Sequence, residues 1–385
     1  MPTTILCRQD FGLYCQPCKI RKARELPVAC SMEVIVITGA SAGVGRATAK
    51  EFAKLGCKIA LLARGHEGLE AAKRDVEELG GKAITIECDV SDWNAVEQAA
   101  ERIEWELGPI DVWVNNAMSS MYAPFSKMSA EDFHRITEVT YLGAVYGTKA
   151  ALKRMLERDR GAIVQVSSAL GFRSIPLQSA YCGAKHGIEG FSEAVRTELI
   201  HMRSNVRITT VALPGVNTPQ FEWTKTVFRR KGRPVGKIYQ PEVPARAILW
   251  AAQHKRKRIV IGVPTLESLI GERLMSGLFD HYIADKAWEG SIGDELVTSH
   301  YRENLYQPVD AETDFGAHGC FDEESAPESI QLWLNLNRMW LICTGALLVA
   351  GILLLRNRDT EIDFLADGFE EPSRFGKVPL EKVLG

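Results

Sequence analysis

Short, apolar segments rich in β-branched residues alternate with helix-like stretches along most of this chain, and this alternation limits the folds that it can adopt. Seven segments have the composition of strands: 33–38, 58–63, 82–87, 111–115, 162–167, 207–213 and 258–263. Helical patterns fill the intervals at 43–55, 67–79, 92–107, 129–157 and 180–202. Continuous apolar runs are typical of strands buried on both faces of a parallel sheet. The pattern therefore predicts an α/β fold with a doubly wound parallel sheet of about seven strands.

The composition restricts the partners and the compartment of the chain. Of its 385 residues 46% are hydrophobic and 25% are charged, and the net charge is −3. These values are ordinary for a globular protein, and the charge does not favour nucleic acid, which binds to a basic face. The nine cysteines are odd in number and mostly scattered. They indicate a reducing compartment rather than a disulfide framework.

The character of the chain changes on both sides of the predicted sheet. We divide it into a disordered leader (1–31), the domain that contains the predicted sheet (32–263), a helical extension (264–302), an irregular or flexible acidic segment (303–330), a membrane helix (339–355) and a polar tail (356–385). The acidic segment contains eight acidic residues and no Lys or Arg. In the leader only Cys15 and Cys18 have the spacing of zinc ligands. A leader without metal is the simpler interpretation, and we expect no metal site.

Residues 339–355 form a run of seventeen residues without a charge. As a helix it would be about 25 Å long, slightly shorter than the hydrocarbon core of about 30 Å. Trp340 and the flanking Arg338 and Arg356 suit anchoring at the interface. The run is apolar on every face, which favours a single membrane anchor, with the domain of residues 32–263 on the cytoplasmic side, over a core helix docked on that domain.

The first predicted strand runs into "TGASAGVGRA" (38–47), and a helix follows. Its three glycines permit a sharp turn and a close approach of backbone to a pyrophosphate, and the helix N-terminus supplies N–H groups to the phosphates. We therefore assign the following residues to a dinucleotide: Gly39, Ser41, Gly43, Val44 and Gly45. The letters "GASAG" also fit a hydrolase elbow with Ser41 as the nucleophile. That alternative is disfavoured, because the elbow would follow the first strand, before anything could build an oxyanion hole.

The end of the second predicted strand distinguishes between two cofactors. A site for NAD places an acidic residue there for the ribose, whereas a site for NADP places a basic residue there for the phosphate. The sequence "LLARGHEG" supplies Arg64 and no acid at that position. NADP is therefore favoured over NAD.

Five further motifs follow in order: "CDVSD" (88–92), "NNA" (115–117), "VSSALG" (166–171), "YCGAK" (181–185) and "PGVNT" (214–218). With the glycine loop, they make residues 32–263 resemble the short-chain dehydrogenase/reductase family, which has a Rossmann-like fold. The resemblance implies an NAD(P)-dependent interconversion of a carbonyl and an alcohol at Ser168, Tyr181 and Lys185. It also implies cofactor contacts at Asp89, Val90, Asn116, Ala117, Tyr181, Lys185, Pro214, Gly215, Val216 and Thr218.

Tyr181 and Lys185 lie four residues apart, which places them on one face of a helix. A free tyrosine has a pKa of about 10 and is a weak acid–base at neutral pH. A nearby ammonium group favours the tyrosinate, so we expect Lys185 to lower the pKa of Tyr181. Ser168 can then donate a hydrogen bond to the substrate oxygen.

The chain departs from the family at two positions. Met118 stands where a glycine is usual, and Thr140 stands where the family has an asparagine that anchors a water near the lysine. A threonine hydroxyl can still hold water, so Thr140 remains a candidate catalytic residue. The departures also motivate a second hypothesis, a membrane-tethered scaffold that binds nucleotide and has weak activity. The intact Ser168, Tyr181 and Lys185 favour the enzyme.

The substrate is defined less sharply by the sequence. Residues 220–240 should cover the pocket, and they combine aromatic with basic side chains: Phe221, Trp223, Phe228, Arg229, Arg230, Lys231 and Arg233. This mixture fits either a lipid-like or anionic substrate or a solvated basic loop. The resemblance further implies a homo-oligomer that pairs through the two long helices near 129–157 and 180–202.

Overall fold

A seven-stranded parallel sheet forms the centre of the computed structural model, which describes residues 33–338, 340, 344–345, 347–350 and 352–353. Its strands are Val34–Thr38 (β1), Lys58–Ala63 (β2), Lys82–Glu87 (β3), Val112–Asn115 (β4), Ala162–Ser168 (β5), Arg207–Leu213 (β6) and Arg258–Val260 (β7). They are arranged in the order β7-β6-β5-β4-β1-β2-β3, and every neighbouring pair is parallel. The chain leaves β1 towards one edge and returns to β4 on its other side. In such a sheet the crevice at the carboxyl ends of β1 and β4 is the expected ligand site.

Nine α-helices are present in the described part of the chain. They are Gly43–Ala53 (α1), His66–Glu78 (α2), Trp93–Leu107 (α3), Ala130–Thr137 (α4), Gly143–Met155 (α5), Ser179–His201 (α6), Glu242–Gln253 (α7), Val263–Gly290 (α8) and Ile330–Leu336 (α9). One core lies between the sheet and α1, α2, α7 and α9, and the other lies between the sheet and α3, α5 and α6. Alternate residues of β1 enter the two cores, since Ile35 and Ile37 belong to the first, and Val34 and Val36 to the second. Burial on both faces explains why the strands read as unbroken apolar runs.

The predicted sheet is confirmed, with two differences in the helices and strands. The last strand ends at Val260 rather than near residue 263, because Gly262 turns the chain with a φ of +81° and α8 begins at Val263. The long helix predicted at 129–157 is interrupted by a π-helical turn at Glu138–Leu142, between α4 and α5. A π-helical turn inside a helix is frequent at functional sites.

Shorter elements complete the fold around the carboxyl edge of the sheet. Two-strand pairings join Met121–Tyr122 to Lys225–Thr226, Arg230–Gly232 to Ile292–Leu296, and Ile238–Tyr239 to both Gly215–Val216 and Ser325–Ala326. Short 3-10 turns lie at Phe125–Lys127, Ala169–Gly171, Pro219–Glu222 and Asp322–Glu324. The predicted helical extension at 264–302 thus contains a strand as well as α8. The acidic segment, expected to be irregular or flexible, has little regular structure but packs across the crevice.

Helix α9 closes one edge of the sheet. The side-chain amide of Gln331 donates to the carbonyl oxygen of Val260 at 3.1 Å and accepts from the N–H of Gly262 at 2.8 Å. Leu332 is buried in the adjacent core. The helix is therefore part of the domain and not a linker.

The terminal predictions fall largely outside the described residues. This applies to the leader with Cys15 and Cys18, to eight of the seventeen residues 339–355 and to the polar tail. Within the part of the chain that the structure describes, no helix is both long enough and apolar enough to cross a membrane.

Candidate active site

The three predicted catalytic side chains meet at the carboxyl end of β5. Ser168 is the last residue of that strand, and Tyr181 and Lys185 lie one turn apart on α6. The hydroxyl of Ser168 forms a hydrogen bond with Tyr181. Lys185 Nζ lies 5.4 Å from the centre of the Tyr181 ring. The structure thus brings together residues that are up to seventeen positions apart in the chain.

Lys185 is held in the protein interior. Its side chain is almost fully buried, and Nζ donates to the carbonyl oxygen of Val166 at 2.7 Å. Burial lowers the pKa of Lys185 to about 8, although the charge of Glu189 acts in the opposite direction. The ammonium group is therefore close to losing its proton near physiological pH.

Tyr181 differs from the expectation drawn from the sequence. Burial raises its pKa above the ordinary value, although the hydrogen bond with Ser168 acts to lower it. The prediction that Lys185 lowers this pKa is not met in the structure, because Lys185 is directed to the Val166 carbonyl and burial outweighs the other effects. Tyr181 is consequently a protonated phenol at neutral pH.

A cavity of about 270 Å³ connects this triad with the glycine loop. Most of the predicted site residues border it: Gly39, Ser41, Gly43, Val44, Asn116, Ala117, Ser168, Tyr181, Lys185, Pro214, Gly215, Val216 and Thr218. A smaller space of about 90 Å³ continues from it between Arg64, Asp89 and Val90. Gly45 and Thr140 do not border either space, but lie behind the residues that do.

The glycine loop requires its glycines for conformation and for space. Gly39 and Gly43 have φ values of +65° and +57°, in the left-handed region that L side chains rarely adopt. At Gly45 a Cβ atom would overlap the carbonyl oxygen of Gly39, so this residue allows α1 to pack closely on the loop. These are the roles that a dinucleotide fingerprint gives to its glycines. Among the described residues that border the cavity there is no histidine to activate Ser41, which agrees with rejecting a hydrolase.

The segment after β4 is fastened to the glycine loop. Asn116 Nδ2 donates to the carbonyl oxygens of Thr38 and Gly39, both at 3.0 Å. The backbone N–H groups of Asn116 and Ala117 donate to Thr38 Oγ1 at 3.0 and 3.1 Å. The two sides of the crevice between β1 and β4 are thus held as one wall.

Asp89 is fixed by an ion pair and a turn at the adenine end of the crevice. Arg135 donates to Asp89 Oδ2 at 2.5 Å, and the N–H and hydroxyl of Ser91 donate to Oδ1 at 3.0 and 2.7 Å. Burial opposes ionisation, but these hydrogen bonds prevail and lower the pKa of Asp89. Val90, which follows, packs against Gly143, where a Cβ atom would lie only 2.6 Å from Val90 Cγ2.

Arg64 stands at the end of β2, where the sequence predicts a contact with the cofactor. Its guanidinium group is directed to the segment after residue 303, and donates to the carbonyl oxygens of Asn304, Leu305 and Tyr306. Burial and the neighbouring Arg135 lower the pKa of Arg64. The basic group is in the predicted place, but it is bound by a part of the chain that the sequence pattern did not connect with the site.

Thr140 is fully buried in the π-helical turn. Its hydroxyl donates to the carbonyl oxygen of Ser119 at 2.9 Å and accepts from the N–H of Ser119 at 3.0 Å. Thr140 therefore positions the loop after the "NNA" segment. Its proposed part in a proton relay stays a prediction.

The loop after β6 is fixed by a residue that sequence reasoning missed. Asn217 is fully buried, its Nδ2 donates to Gln240 and Asp322, and its Oδ1 accepts from the N–H of Phe321. The motif "PGVNT" contains this asparagine, so a signal was present, although its partners are distant in sequence.

The substrate end of the cavity is mainly apolar. It is bordered by Tyr122, Ile175, Gln178, Phe221, Trp223 and Val235. Tyr122, Ile175 and Gln178 come from segments that the sequence analysis did not assign, whereas the other three belong to residues 220–240, which were expected there. The basic side chains of that loop face acids, since Lys231 pairs with Glu222 and Glu295 and Arg233 pairs with Glu324. Arg233 also borders the cavity.

The described residues fit a dinucleotide. Three features satisfy the requirements of the phosphates and of a reactive ring. The backbone at Gly39 and Gly43 forms a cradle, the N-cap of α1, Ala42, has no capping side chain, and a continuous cavity reaches Tyr181. Glycine loop residues would hold the phosphates, Asp89 and Val90 the adenine, and Pro214–Thr218 with Lys185 the nicotinamide half.

Comparison with known proteins agrees with this geometry. Residues 33–226 match the family model described as "short chain dehydrogenase". The chain is 35% identical over 232 residues to the uncharacterized oxidoreductase YxnA of Bacillus subtilis. This alignment covers 60% of this chain and 65% of that protein. The chain is also 34% identical over 231 residues to 3-ketodihydrosphingosine reductase of Mus musculus. This alignment covers 58% of this chain and 69% of that protein.

A solved structure extends the comparison to the fold. A crystal structure of a variant of actinorhodin polyketide ketoreductase with NADPH aligns with a TM-score of 0.54 and 28% identity, over 60% of this chain and 95% of that chain. The alignments thus leave part of this chain unmatched, and it spans slightly less than two thirds of the Bacillus protein.

Proposed function

The chain belongs to the short-chain dehydrogenase/reductase family of NAD(P)-dependent oxidoreductases, and on this premise we propose that it reduces the carbonyl group of an apolar, lipid-like substrate with NADPH. One observation carries the proposal. Tyr181 and Ser168 border the same cavity as the glycine loop, and burial raises the pKa of Tyr181 so that it keeps its proton. A proton donor and a nucleotide cradle in one cavity are what carbonyl reduction requires.

Ser168, Tyr181 and Lys185 have different roles at the carbonyl oxygen of the substrate. The cofactor, when bound, supplies a hydride to the carbonyl carbon. Ser168 and Tyr181 hold the carbonyl oxygen by hydrogen bonds, and Tyr181 Oη gives its proton to that oxygen as negative charge develops. Loss of this proton leaves a phenolate in the interior, which the ammonium group of Lys185 stabilises. Because burial raises the pKa of Tyr181, this residue enters the reaction as the phenol and holds the proton that the alcohol product needs.

NADPH is favoured over NADH by the end of β2 and the start of α2. Arg64 is the basic residue expected for a 2′-phosphate, and α2 begins beside it with Gly65 as N-cap and no capping side chain. The polyketide ketoreductase whose fold resembles this one was also crystallised with NADPH.

The lining of the cavity supports an apolar substrate. Phe221, Trp223 and Val235 present carbon surface near Tyr181, and Gln178 is a buried polar group that could orient one oxygen. The mouse relative is named for 3-ketodihydrosphingosine. A long aliphatic carbonyl compound is consistent with both the apolar lining and the substrate for which this relative is named.

The test measures NADPH consumption with straight-chain ketones and aldehydes of increasing length. Each added CH2 group that is buried should lower KM about fourfold until the cavity is filled, because its burial contributes about 0.8 kcal/mol. Tyr181→Phe should lower kcat by about 10²- to 10⁴-fold, since it removes the general acid. Tyr146→Phe, a tyrosine of α5 outside the cavity, is the matched control. Equal turnover by Tyr181→Phe and the wild type would show that the catalytic assignment is wrong.

Cofactor choice is tested by binding rather than by turnover. Arg64→Ala should weaken NADPH at least tenfold relative to NADH, whereas Arg74→Ala, an exposed arginine of α2, should leave the ratio unchanged. An unchanged ratio in Arg64→Ala would remove the preference for NADP.

We propose, mainly from the sequence, that residues 339–355 tie the catalytic domain to a membrane from its cytoplasmic side. Leu347 and Leu348, which are described, are 73% and 69% exposed, as apolar side chains that lack a protein partner would be. Fractionation of the full chain beside a chain that ends at Asn337 tests this. Recovery of both in the soluble fraction would contradict the anchor.

A further inference from the structure

Part of the acidic segment lies across the predicted phosphate site. We call residues 304–316 the strap. It runs over the crevice from Arg64 and the start of α2 to the start of α1, and Asn304 and Asp310 border the cavity described above. Its contacts there are made mostly by backbone carbonyl oxygens, which accept hydrogen bonds from three groups of donors.

The first group of donors is the N-terminus of α1. The N–H of Gly43, the first residue of the helix, donates to the carbonyl oxygen of Gly316 at 3.1 Å. Helix N-termini attract anions through their unpaired N–H groups and the helix dipole. The strap thus satisfies a donor that the fingerprint offers to a pyrophosphate.

The second group is the N-terminus of α2. The N–H groups of Glu67 and Gly68 donate to the carbonyl oxygens of Ala311 and Asp310 at 3.3 and 3.1 Å. The carboxylate of Asp310 lies against the backbone of the same turn, where a Cβ atom at Gly68 would be 2.7 Å from Asp310 Oδ2 and 2.9 Å from Ser41 Cβ. A negative charge therefore already stands beside the glycine loop.

The third donor is the guanidinium group of Arg64. It donates to the carbonyl oxygen of Tyr306 at 3.0 Å and to Asn304 Oδ1 at 3.1 Å, besides the carbonyls of Asn304 and Leu305. The group that would select a 2′-phosphate is thus bound to the strap.

We propose that the strap is an autoinhibitory segment, which occupies the phosphate donors of the crevice and must be displaced before NADPH can bind. The inference rests on the proposed use of NADPH. Carbonyl oxygens are weaker acceptors than phosphate oxygens, since hydrogen bonds to charged groups are about twice as strong as neutral ones. The exchange is therefore favourable for the nucleotide, and the strap sets a threshold concentration for it.

Side-chain and backbone contacts of the strap link its displacement to the loop of residues 220–240. Arg46 of α1 pairs with Asp314, and Tyr306 donates to Asp132 at 2.9 Å. Phe315 packs edge-to-face on Trp223 with ring centres 4.9 Å apart, and the N–H of Asn304 donates to the Trp223 carbonyl oxygen. Displacement of the strap removes a contact from Trp223, which borders the substrate end of the cavity.

The experiment measures nucleotide affinity of the full chain by quenching of tryptophan fluorescence. Asp310→Asn keeps the shape of the side chain and removes its charge. We expect about tenfold tighter binding of NADPH and a smaller gain for NADH, because a 2′-phosphate adds almost two negative charges near this position. Glu312→Gln removes an equal charge from an exposed position of the strap and should change either affinity less than twofold.

A second measurement uses the unaltered protein. Hydrogen exchange of the amides of residues 304–316 should become faster when NADPH is added, because the strap leaves the crevice. Slower or unchanged exchange in the presence of bound NADPH would overturn the proposal, since the strap would then be a lid or a fixed wall. Equal NADPH affinity of Asp310→Asn, Glu312→Gln and the wild type would also overturn it while leaving NADPH as the cofactor. Failure of all three proteins to bind NADPH, when NADH binds, would reject both proposals.

Discussion

The buried ammonium group of Lys185 should make the stability of the protein depend on pH in a defined window. Burial lowers its pKa from 10.5 to about 8. Each pKa unit corresponds to about 1.4 kcal/mol, so the charged form is disfavoured in the folded state by about 3 kcal/mol. The side chain is only 2% exposed, so this value needs no reduction for screening by solvent.

The direction follows from the number of protons that each state binds. Below pH 8 Lys185 is charged in the folded and the unfolded protein, and the full penalty is present. Between pH 8 and 10.5 the folded state has lost the proton but the unfolded state retains it, so the free energy of unfolding rises with pH. We expect a gain of about 2–3 kcal/mol between pH 7 and pH 10 from this residue alone.

The assay is urea unfolding of the wild type and of Lys185→Met at pH 7, 8, 9 and 10. The wild type should gain stability relative to Lys185→Met over this range, because methionine has no proton to lose. The comparison cancels titrations that the two proteins share, and ending at pH 10 limits the contribution of the buried tyrosines. Lys255→Met, at an exposed turn, should run parallel to the wild type. A difference between wild type and Lys185→Met that is independent of pH would refute the reasoning.

Three other substitutions test parts of the site and its surroundings. Thr140→Val removes both hydrogen bonds to Ser119 and should destabilise the protein by about 1–3 kcal/mol and lower kcat, whereas Thr140→Ser should retain both, as thermal unfolding and turnover will show. Leu152→Glu places a charge in the apolar groove between α5 and α6, and we expect a homodimer to become monomeric in light scattering; an unchanged mass would move the interface elsewhere. Gly45→Ala would bring a Cβ atom into the backbone of the glycine loop and should lower stability by about 1–3 kcal/mol with weakened NADPH binding, while Gly190→Ala, which has open space, should be neutral or stabilising in the same assays.

The sheet and the triad could be predicted because their signals are local. Strands such as Val34–Thr38 are buried on both faces, so every residue is buried and the segment is recognisable without its neighbours. Ser168, Tyr181 and Lys185 stand within short motifs at fixed spacing. Their proximity then follows from the order of strands, since the carboxyl ends of parallel strands meet at one edge of the sheet.

The contacts of the strap could not be predicted in this way. Those with Arg64, α1 and α2 join residues about 240–270 positions apart, and most of them use carbonyl oxygens, which every residue possesses. Acidic composition indicated flexibility, whereas the helix N-termini and Arg64 provide donors that order the segment. The pKa of Tyr181 was misjudged for a related reason, because spacing on a helix places Lys185 nearby but does not give the burial of the phenol or the carbonyl of Val166 as an alternative acceptor.

The side chain of Gln331 has a consequence for the solution behaviour of the domain. Its amide donates to the carbonyl oxygen of Val260, the last residue of β7, and accepts from the N–H of Gly262, much as a further strand would. An open sheet edge is a template on which another chain can add, and proteins protect such edges. Helix α9 thus prevents another strand from pairing with β7, and it does so through the side chain of a single residue. A chain cut before Ile330 should therefore self-associate edge to edge even though every strand and every catalytic residue is retained, so the functional boundary of the domain lies some seventy residues beyond the end of its sheet.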